Sequence, residues 1–410
     1  GFKSIKSMVK ILAKYLFTGR GLIINNALLE YDEKSGQIIS VDVAKQSDLT
    51  DYKFYDGAVV PGFVNAHCHV ELSHLVDLFK QGTGMDGFIQ QINSLRETVD
   101  AQGRIKALEE GMETLYNQGV SAMGDISNCS ESFDCKSKSK IFTRTFLEVF
   151  GTEEVDAPGV IESVLELQKE ALKYGINAAP TPHSCYTSHP KLIQMAAAEG
   201  LKSGYISYHS QESSQEEDMI RYGKGELSDD YNQRGCSVPK LNPDGALCYF
   251  LEILKPLVNI ESGMVEENVI LVHNVTTDQA SIDAAKRVLK NSYWVTCPMS
   301  NIFIHRELPN LPLLAENDLN ICIGTDSLSS NTHFSIVDEM KTIQNAFPQI
   351  SMAQMIKWAT INGAKAIGCD SQYGTIEVGK APGLVFIDGV VEDQTGELRL
   401  TEQSKSVRII

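Results

Sequence analysis

Short apolar runs alternate with helical patterns through the middle of the chain, and few folds accommodate that order. After a first run ending near Val64 come Val120–Ile126, Thr145–Phe150, Ile176–Ala179, Tyr205–Tyr208, Val269–His273, Trp294–Thr296 and Ile321–Gly324. Helical spacing stands out at Pro158–Tyr174, which opens on a Pro suited to a first helical position, at Pro190–Glu199 and at Thr277–Lys290. Eight strands separated by helices predict an α/β protein built on a parallel (β/α)8 TIM barrel. Turn-punctuated β runs flank it: Leu22–Asn25, Ile38–Val43 and Gly57–Val60 before, Leu384–Asp388 and Leu398–Leu400 after. We therefore expect the barrel to span 61–365 and a small β-sandwich domain to draw on both chain ends, 1–60 and 366–410. The polar, acidic stretch Ser210–Asp244 reads as a long loop after a strand, where barrels place specificity.

With 410 residues, 42% of them hydrophobic and 22% charged, the chain has material for a large core, and disorder is excluded. Lys and Arg number 36 against 53 Asp and Glu, so the net charge of −17 repels phosphate backbones and anionic lipid headgroups. Nucleic acid and membrane surfaces are not expected partners; a small-molecule substrate is, and a homo-oligomer is compatible with the fold. No window approaches the ~18 consecutive apolar residues of a membrane span, and the run Ile11–Phe17 is broken by Lys14 with no cleavage site behind it. The nine Cys form no Cys-x-x-Cys pair and sit mainly in apolar runs, which suits reduced thiols in an unexported, cytoplasmic protein.

Four segments carry candidate chemistry. In Pro61-Gly62-Phe63-Val64-Asn65-Ala66-His67-Cys68-His69, the two histidines are two apart, so an extended chain presents both imidazoles to one cation. His209 ends a β run, with Glu212 three residues on, where a carboxylate can stand beside a metal-activated water without ligating; a solvated acidic loop is the alternative. His273 follows Val269–Val272 directly, either as a catalyst or as a satisfied histidine at the edge of the core. Asp326 ends the run Ile321–Gly324, and a strand-end acid wants a cation or a helix to cap. Each signal alone is modest. Together they fall at strand ends, where barrels of this type collect active-site groups, and three His with one Asp suit Zn²⁺ or Fe²⁺, with Zn²⁺ preferred.

The fourth segment ends in Gly324-Thr325-Asp326, and with Pro182-His183-Ser184-Cys185-Tyr186, Cys297-Pro298-Met299-Ser300-Asn301 and Gly374-Thr375-Ile376-Glu377-Val378-Gly379-Lys380 added, seven ordered motifs run along nearly the whole chain. The chain resembles the amidohydrolase superfamily, in the branch of cytosine deaminase, S-adenosylhomocysteine/adenosine deaminase-like and chlorohydrolase enzymes. The resemblance implies that His67, His69, His209 and Asp326 are metal ligands, Glu212 the proton shuttle and His273 the group that polarises the attacking water and the developing tetrahedral centre. It implies that His183 contacts substrate. His183 follows the fourth strand, and no Lys stands at that strand end, where binuclear members of the superfamily carry a carboxylated bridging Lys, so one metal is implied. Glu97 falls where nucleoside-acting relatives place a ribose-binding Glu, or is a solvent-facing helical residue. Arg144, Arg221 and Arg234 are each either a ligand for a substrate carboxylate or a surface or ion-pairing residue.

His67-Cys68-His69-Val70-Glu71-Leu72-Ser73 is similar to a subgroup that includes aminodeoxyfutalosine deaminases. The implied activity is hydrolysis of a non-peptide C–N bond: deamination of an aminopurine nucleoside or related amino-heterocycle by water activated as hydroxide on the metal. Its rivals are removal of chloride, an alkylamine or a formimino nitrogen, or a cyclic amidine hydrolysis, and, from another class, a barrel without catalysis. All six principal positions are present, which counts against the last. Lys380-Ala381-Pro382-Gly383-Leu384 departs from the branch's Lys-Ala-Asp-Leu and bears on a turn of the β domain.

Overall fold

The computed structural model describes residues 7–48 and 50–410; residues 1–6 and 49, which belong to the expected N-terminal β segment, lie outside them. The first strands are β1 (Met8–Phe17), β2 (Ile23–Asp32), β3 (Ile38–Val43) and β4 (Lys53–Pro61). The barrel follows with β5 (Phe63–Cys68), β6 (Val120–Ser127), β7 (Phe142–Val149), β8 (Asn177–Pro182), β9 (Tyr205–Ser210), β10 (Val265–His273), β11 (Leu289–Thr296) and β12 (Asn320–Ile323). The chain ends in β13 (Leu384–Ile387), β14 (Val391–Glu392), β15 (Leu398–Arg399) and β16 (Ser406–Arg408). The expected α/β barrel is present, and both chain ends supply a second β unit. That unit is one six-stranded mixed sheet in the order β16-β13-β4-β1-β2-β3, beside a two-stranded β14-β15 ribbon.

The barrel strands pair in parallel as two runs of four, β5-β6-β7-β8 and β9-β10-β11-β12. Side chains, together with the backbone bonds His209 N to His183 O at 2.8 Å and Asp326 N to His67 O at 3.0 Å, close the seams between the runs. Thr181 Oγ1 of β8 donates to Ser207 O of β9 at 2.6 Å and accepts from Ser207 N at 2.9 Å. At the other seam, Asn65 Nδ2 donates to Thr325 Oγ1 at 2.8 Å and Thr325 N donates to Asn65 Oδ1 at 3.1 Å. Thr181→Val takes a hydrogen-bond partner from two buried backbone groups at nearly constant volume, so a loss of roughly 2–4 kcal/mol is expected. Urea unfolding measures it, and a variant as stable as the parent would contradict this reading of the seam.

Strand alternation sorts the core into layers. Val269, Leu271, Ile321 and Ile323 pack with helical residues such as Ile282 and Met340. Ile270, Val272, Val295, Cys322, Phe146 and Val64 form a separate cluster drawn largely from the strands themselves. β4 runs into β5 through Gly62, whose N–H donates to Gly383 O at 3.0 Å. A Cβ at Gly62 would stand 2.4 Å from Pro382 O, so only glycine lets the sheet and the barrel meet this closely. The atypical Pro382-Gly383 pair thus closes the turn, with Gly383 at φ 81°.

Ser210–Asp244 is not the continuous loop its polarity suggests. It contains helices Ser214–Tyr222 and Glu226–Gln233. Ser213 caps the first by accepting from Glu216 N, Gly223 ends it in the left-handed region, and Met219, Ile220, Leu227 and Tyr231 are buried. Few apolar residues, correctly spaced, suffice to hold an acidic helix against a core. Among the described residues no helix is long and apolar enough to cross a membrane. All nine Cys are free thiols, and five of them are buried.

Candidate metal centre

The site is built where strands end and their regularity breaks. The pairing of β5 on β6 shifts register between Asn65 and Cys68, beside His67. Strict alternation would send His273 outward with Val269 and Leu271, but its backbone adopts φ 87°, and its ring joins the other histidines at the barrel mouth. Asp326, beyond β12, has φ 58°. Non-glycine residues in the left-handed region cost on the order of 1–3 kcal/mol each, so the surrounding contacts must hold them there. Two of those contacts come from the Cys297–Asn301 motif: Ser300 Oγ donates to Asp326 Oδ2 at 2.8 Å, and Asn301 Nδ2 lies 3.1 Å from His273 Nδ1. Gly324 touches the backbone of His67, and a Cβ there would stand 2.8 Å from His67 O and 2.9 Å from His67 N.

Four chain segments converge. His67 Nε2 and His69 Nε2 are 3.1 Å apart, and each is 3.4 Å from Asp326 Oδ1. The His209 ring lies 4.8 Å from that of His67, centroid to centroid. His273 Nε2 is 3.6 Å from Asp326 Oδ2 and 3.4 Å from Glu212 Oε1, and His305 Nε2 stands 3.8 Å from the same Glu212 oxygen. Ligating atoms of His67, His69 and His209 fall within 4.8 Å of one another, as do those of His67, His273 and Asp326, and of Glu148, His183 and His209.

The electrostatics suit a cation. Burial, reinforced by neighbouring imidazoles, lowers the pKa of His69 and His209 well below the ordinary value, which leaves neutral rings with free lone pairs. Burial likewise lowers His273, against the pull of Glu212 and Asp326. Burial pushes Asp326 up, but the hydrogen bond and charge of His67, with His273 and His69, outweigh it and hold the carboxyl far below the usual range. Among the described residues, His67 Nδ1, His209 Nδ1 and His273 Nε2 are buried without a hydrogen-bond partner. The neutral rings of His69 and His209, with His67, beside an ionised carboxylate make a donor set that a divalent metal satisfies, and the residues fit one.

The centre opens into a cavity of about 470 Å³. Its wall opposite the barrel is one face of the helix Gly84–Leu95 and the residue after it, with Met85, Phe88, Ile89, Ile92, Asn93 and Arg96 at helical spacing.

The Amidohydrolase family pattern matches residues 58–409. The chain belongs to the amidohydrolase family. It is similar to the adenosine deaminase of Helicobacter pylori, 26% identical over 365 residues that cover 85% of this chain and 84% of the relative. It is similar to the aminodeoxyfutalosine deaminase of Nitratiruptor sp., 24% identical over 93% of this chain and 91% of that one. The crystal structure of Helicobacter pylori aminofutalosine deaminase in complex with methylthio-coformycin shares its fold, with a TM-score of 0.76 at 20% identity, over 98% of this chain and 100% of the other.

In this amidohydrolase the residues singled out from sequence separate into two groups. His67, His69, His209, Asp326, Glu212 and His273 meet at the barrel mouth, and His183 lies against His209 with ring centroids 4.2 Å apart. Burial lowers the His183 pKa to about 4. Glu97 does not join them. It is exposed and lines a separate depression with His74 and Arg104, because one position along a helical turn rotates a side chain by roughly 100°. Arg96, not Glu97, faces the main cavity. Of the three arginines, Arg144 donates to Ile367 O at 2.7 Å and stacks on Tyr205, and Arg221 is tied to Glu217, Pro243 and Asp244. Arg234 lines the cavity, although it also pairs with Asp230 at 3.0 Å.

Sequence reasoning missed Glu148 and His305. Glu148 is 7% exposed, and burial pushes its carboxyl up to about 8 against Asn128 and Arg96. An acid inside the apolar run Thr145–Phe150 was the available signal. His305 ends the helix Pro298–His305, and nothing in its local sequence marks it.

Proposed function

We propose that this amidohydrolase removes the amino group of an aminopurine nucleoside, or of a related amino-heterocycle, by hydrolysis. The observation that carries the reading is the meeting of His67, His69 and His209 with the ionised Asp326, Glu212 and His273 beside a largely apolar cavity. His67, His69, His209 and Asp326 would hold one divalent cation, Zn²⁺ in preference to Fe²⁺. Such a cation supplies Lewis acidity that brings the pKa of water from 15.7 toward ~7.

The protein groups do the rest. Asp326, ionised, accepts a proton from the attacking water. Glu212, also held below its usual pKa by His273 and His305 despite burial, takes up a proton from solvent and carries it to the ring nitrogen beside the amino-bearing carbon, which makes that carbon electrophilic. His273 stabilises the oxygen as the carbon becomes tetrahedral. Return of a proton through Glu212 or Asp326 releases ammonia and leaves a carbonyl. His183 lies against the substrate ring. The apolar helix face accepts the bulk of the nucleoside, and Asn93 offers an amide at the same wall. Arg96 and Arg234 place positive charge at the wall for an acidic substituent. Relatives named for deamination of adenosine and of aminodeoxyfutalosine support the reaction class. The proposal places catalysis in 61–365 and leaves 1–60 and 366–410 as a supporting β domain.

Ammonia release from the zinc-loaded protein, over a panel of aminopurine nucleosides, aminodeoxyfutalosine, cytosine, guanine and aminotriazines, tests the reading. Turnover of a nucleoside is the expected result. Silence across the panel with metal bound would overturn deamination in favour of another hydrolysis or of an inactive barrel.

A further inference from the structure

Glu148 belongs to none of the roles above, and its surroundings define one. In β7, Leu147 and Val149 pack against the helix Ala157–Lys173, whereas Phe146 packs in the cluster formed by the strands. Alternation therefore puts Glu148 on the same side as Phe146, a carboxylate on an apolar face. A buried carboxylate of this kind is costly unless something binds it. Its Oε1 receives only a long contact, 3.4 Å from Asn128 Nδ2. Its Oε2 lies 3.5 Å from His209 Nδ1 and 3.9 Å from His183 Nε2. Both Glu148 Oε2 and His209 Nδ1 are buried with no hydrogen-bond partner among the described residues, and they face each other a few tenths of an ångström beyond bonding distance.

His209 has two nitrogens and one of them faces Glu148, so Nε2 is left for His67, His69 and Asp326. A neutral imidazole that ligates through Nε2 must carry its proton on Nδ1, and that N–H needs an acceptor in a dry wall. We propose that Glu148 is a positioning residue, which accepts the Nδ1–H of His209 and fixes the ring for metal binding. The inference rests on the reading of His67, His69, His209 and Asp326 as the metal ligands. The acceptor is itself braced. Asn128 N donates to Glu71 Oε1 at 2.9 Å, and the other Glu71 oxygen accepts from Ser132 Oγ at 2.8 Å and lies 3.8 Å from the buried Lys136. On the far side, His183 is steadied by Thr187 Oγ1, 2.9 Å from its Nδ1, and by Phe150, 4.8 Å from its ring.

The test measures zinc and cobalt affinity by competition with a chelator, metal stoichiometry, and the visible spectrum of the cobalt form, for the parent, Glu148→Leu and Glu148→Gln. Expected are one ion per parent chain, binding about 10–100-fold weaker in Glu148→Leu, and recovery of most of that loss in Glu148→Gln, whose amide oxygen accepts the same N–H. Parent-like affinity and cobalt spectrum in Glu148→Leu would overturn the inference while leaving the ligand set intact. Two ions per parent chain, with one lost in Glu148→Leu, would overturn it in favour of a second cation site at Glu148, His183 and His209. A parent that takes up no ion would overturn the ligand set itself. Should Glu148→Leu not fold, the cobalt form of Glu148→Gln decides. Exchanging a carboxylate acceptor for an amide lowers the basicity of Nε2 and shifts the band, and an unshifted band overturns the proposal.

Discussion

Glu212→Gln is expected to lower turnover by about 10²–10⁴-fold and to leave the metal content at the parent's level. Glutamine fills the same volume, so the packing around this 5% exposed side chain is kept. What is lost is a group that can take and give a proton. His273 Nε2 and His305 Nε2, at 3.4 and 3.8 Å, surround that carboxylate and hold it ionised, ready to accept a proton from solvent or substrate. An amide cannot cycle in this way at any accessible pH. Steady-state ammonia release together with metal analysis of the same preparation checks both halves. Turnover equal to the parent's would remove Glu212 from the chemistry, and loss of metal would make it part of the ligand set instead.

The second large effect is expected from His209→Ala, which should lose both metal and turnover. His209 is one of the three histidines whose ligating atoms lie within 4.8 Å of one another, and alanine leaves a cavity lined by His67, His69 and His183 without a replacement donor. Stability reports the same event independently of catalysis. A cation that binds only the folded chain stabilises it by about 4.1 kcal/mol at a thousand times its Kd. Zinc should therefore raise the melting temperature of the parent, chelation should reverse the rise, and His209→Ala should show neither. A zinc-dependent shift of parental size in the variant would exclude His209 as a ligand.

Much of the site is legible one segment at a time. His67, His69, His209 and Asp326 each close an apolar β run, and a barrel gathers such ends at one mouth, so order along the chain already implies proximity in space. The same reasoning fails wherever the answer depends on rotation about an element. Arg96 and Glu97 are neighbours in sequence, yet only Arg96 reaches the cavity. The acidic stretch after β9 is helical because four buried apolar side chains find a core to rest on, and composition alone does not reveal that core.

By itself, the amino-acid sequence determined the alternation of strands and helices, the strand-end positions of His67, His69, His209 and Asp326, and the contribution of both chain ends to one β unit. These are consequences of local periodicity and of the chemistry of single side chains. Tertiary structure alone decided that His273 turns inward through a left-handed backbone, that Ser300 and Asn301 brace Asp326 and His273, and that Glu148 faces His209. Residues 148 and 209 lie on opposite sides of the seam between β8 and β9, and they meet only because the barrel closes there. Contacts of that kind are set by closure and packing, which no window of sequence contains.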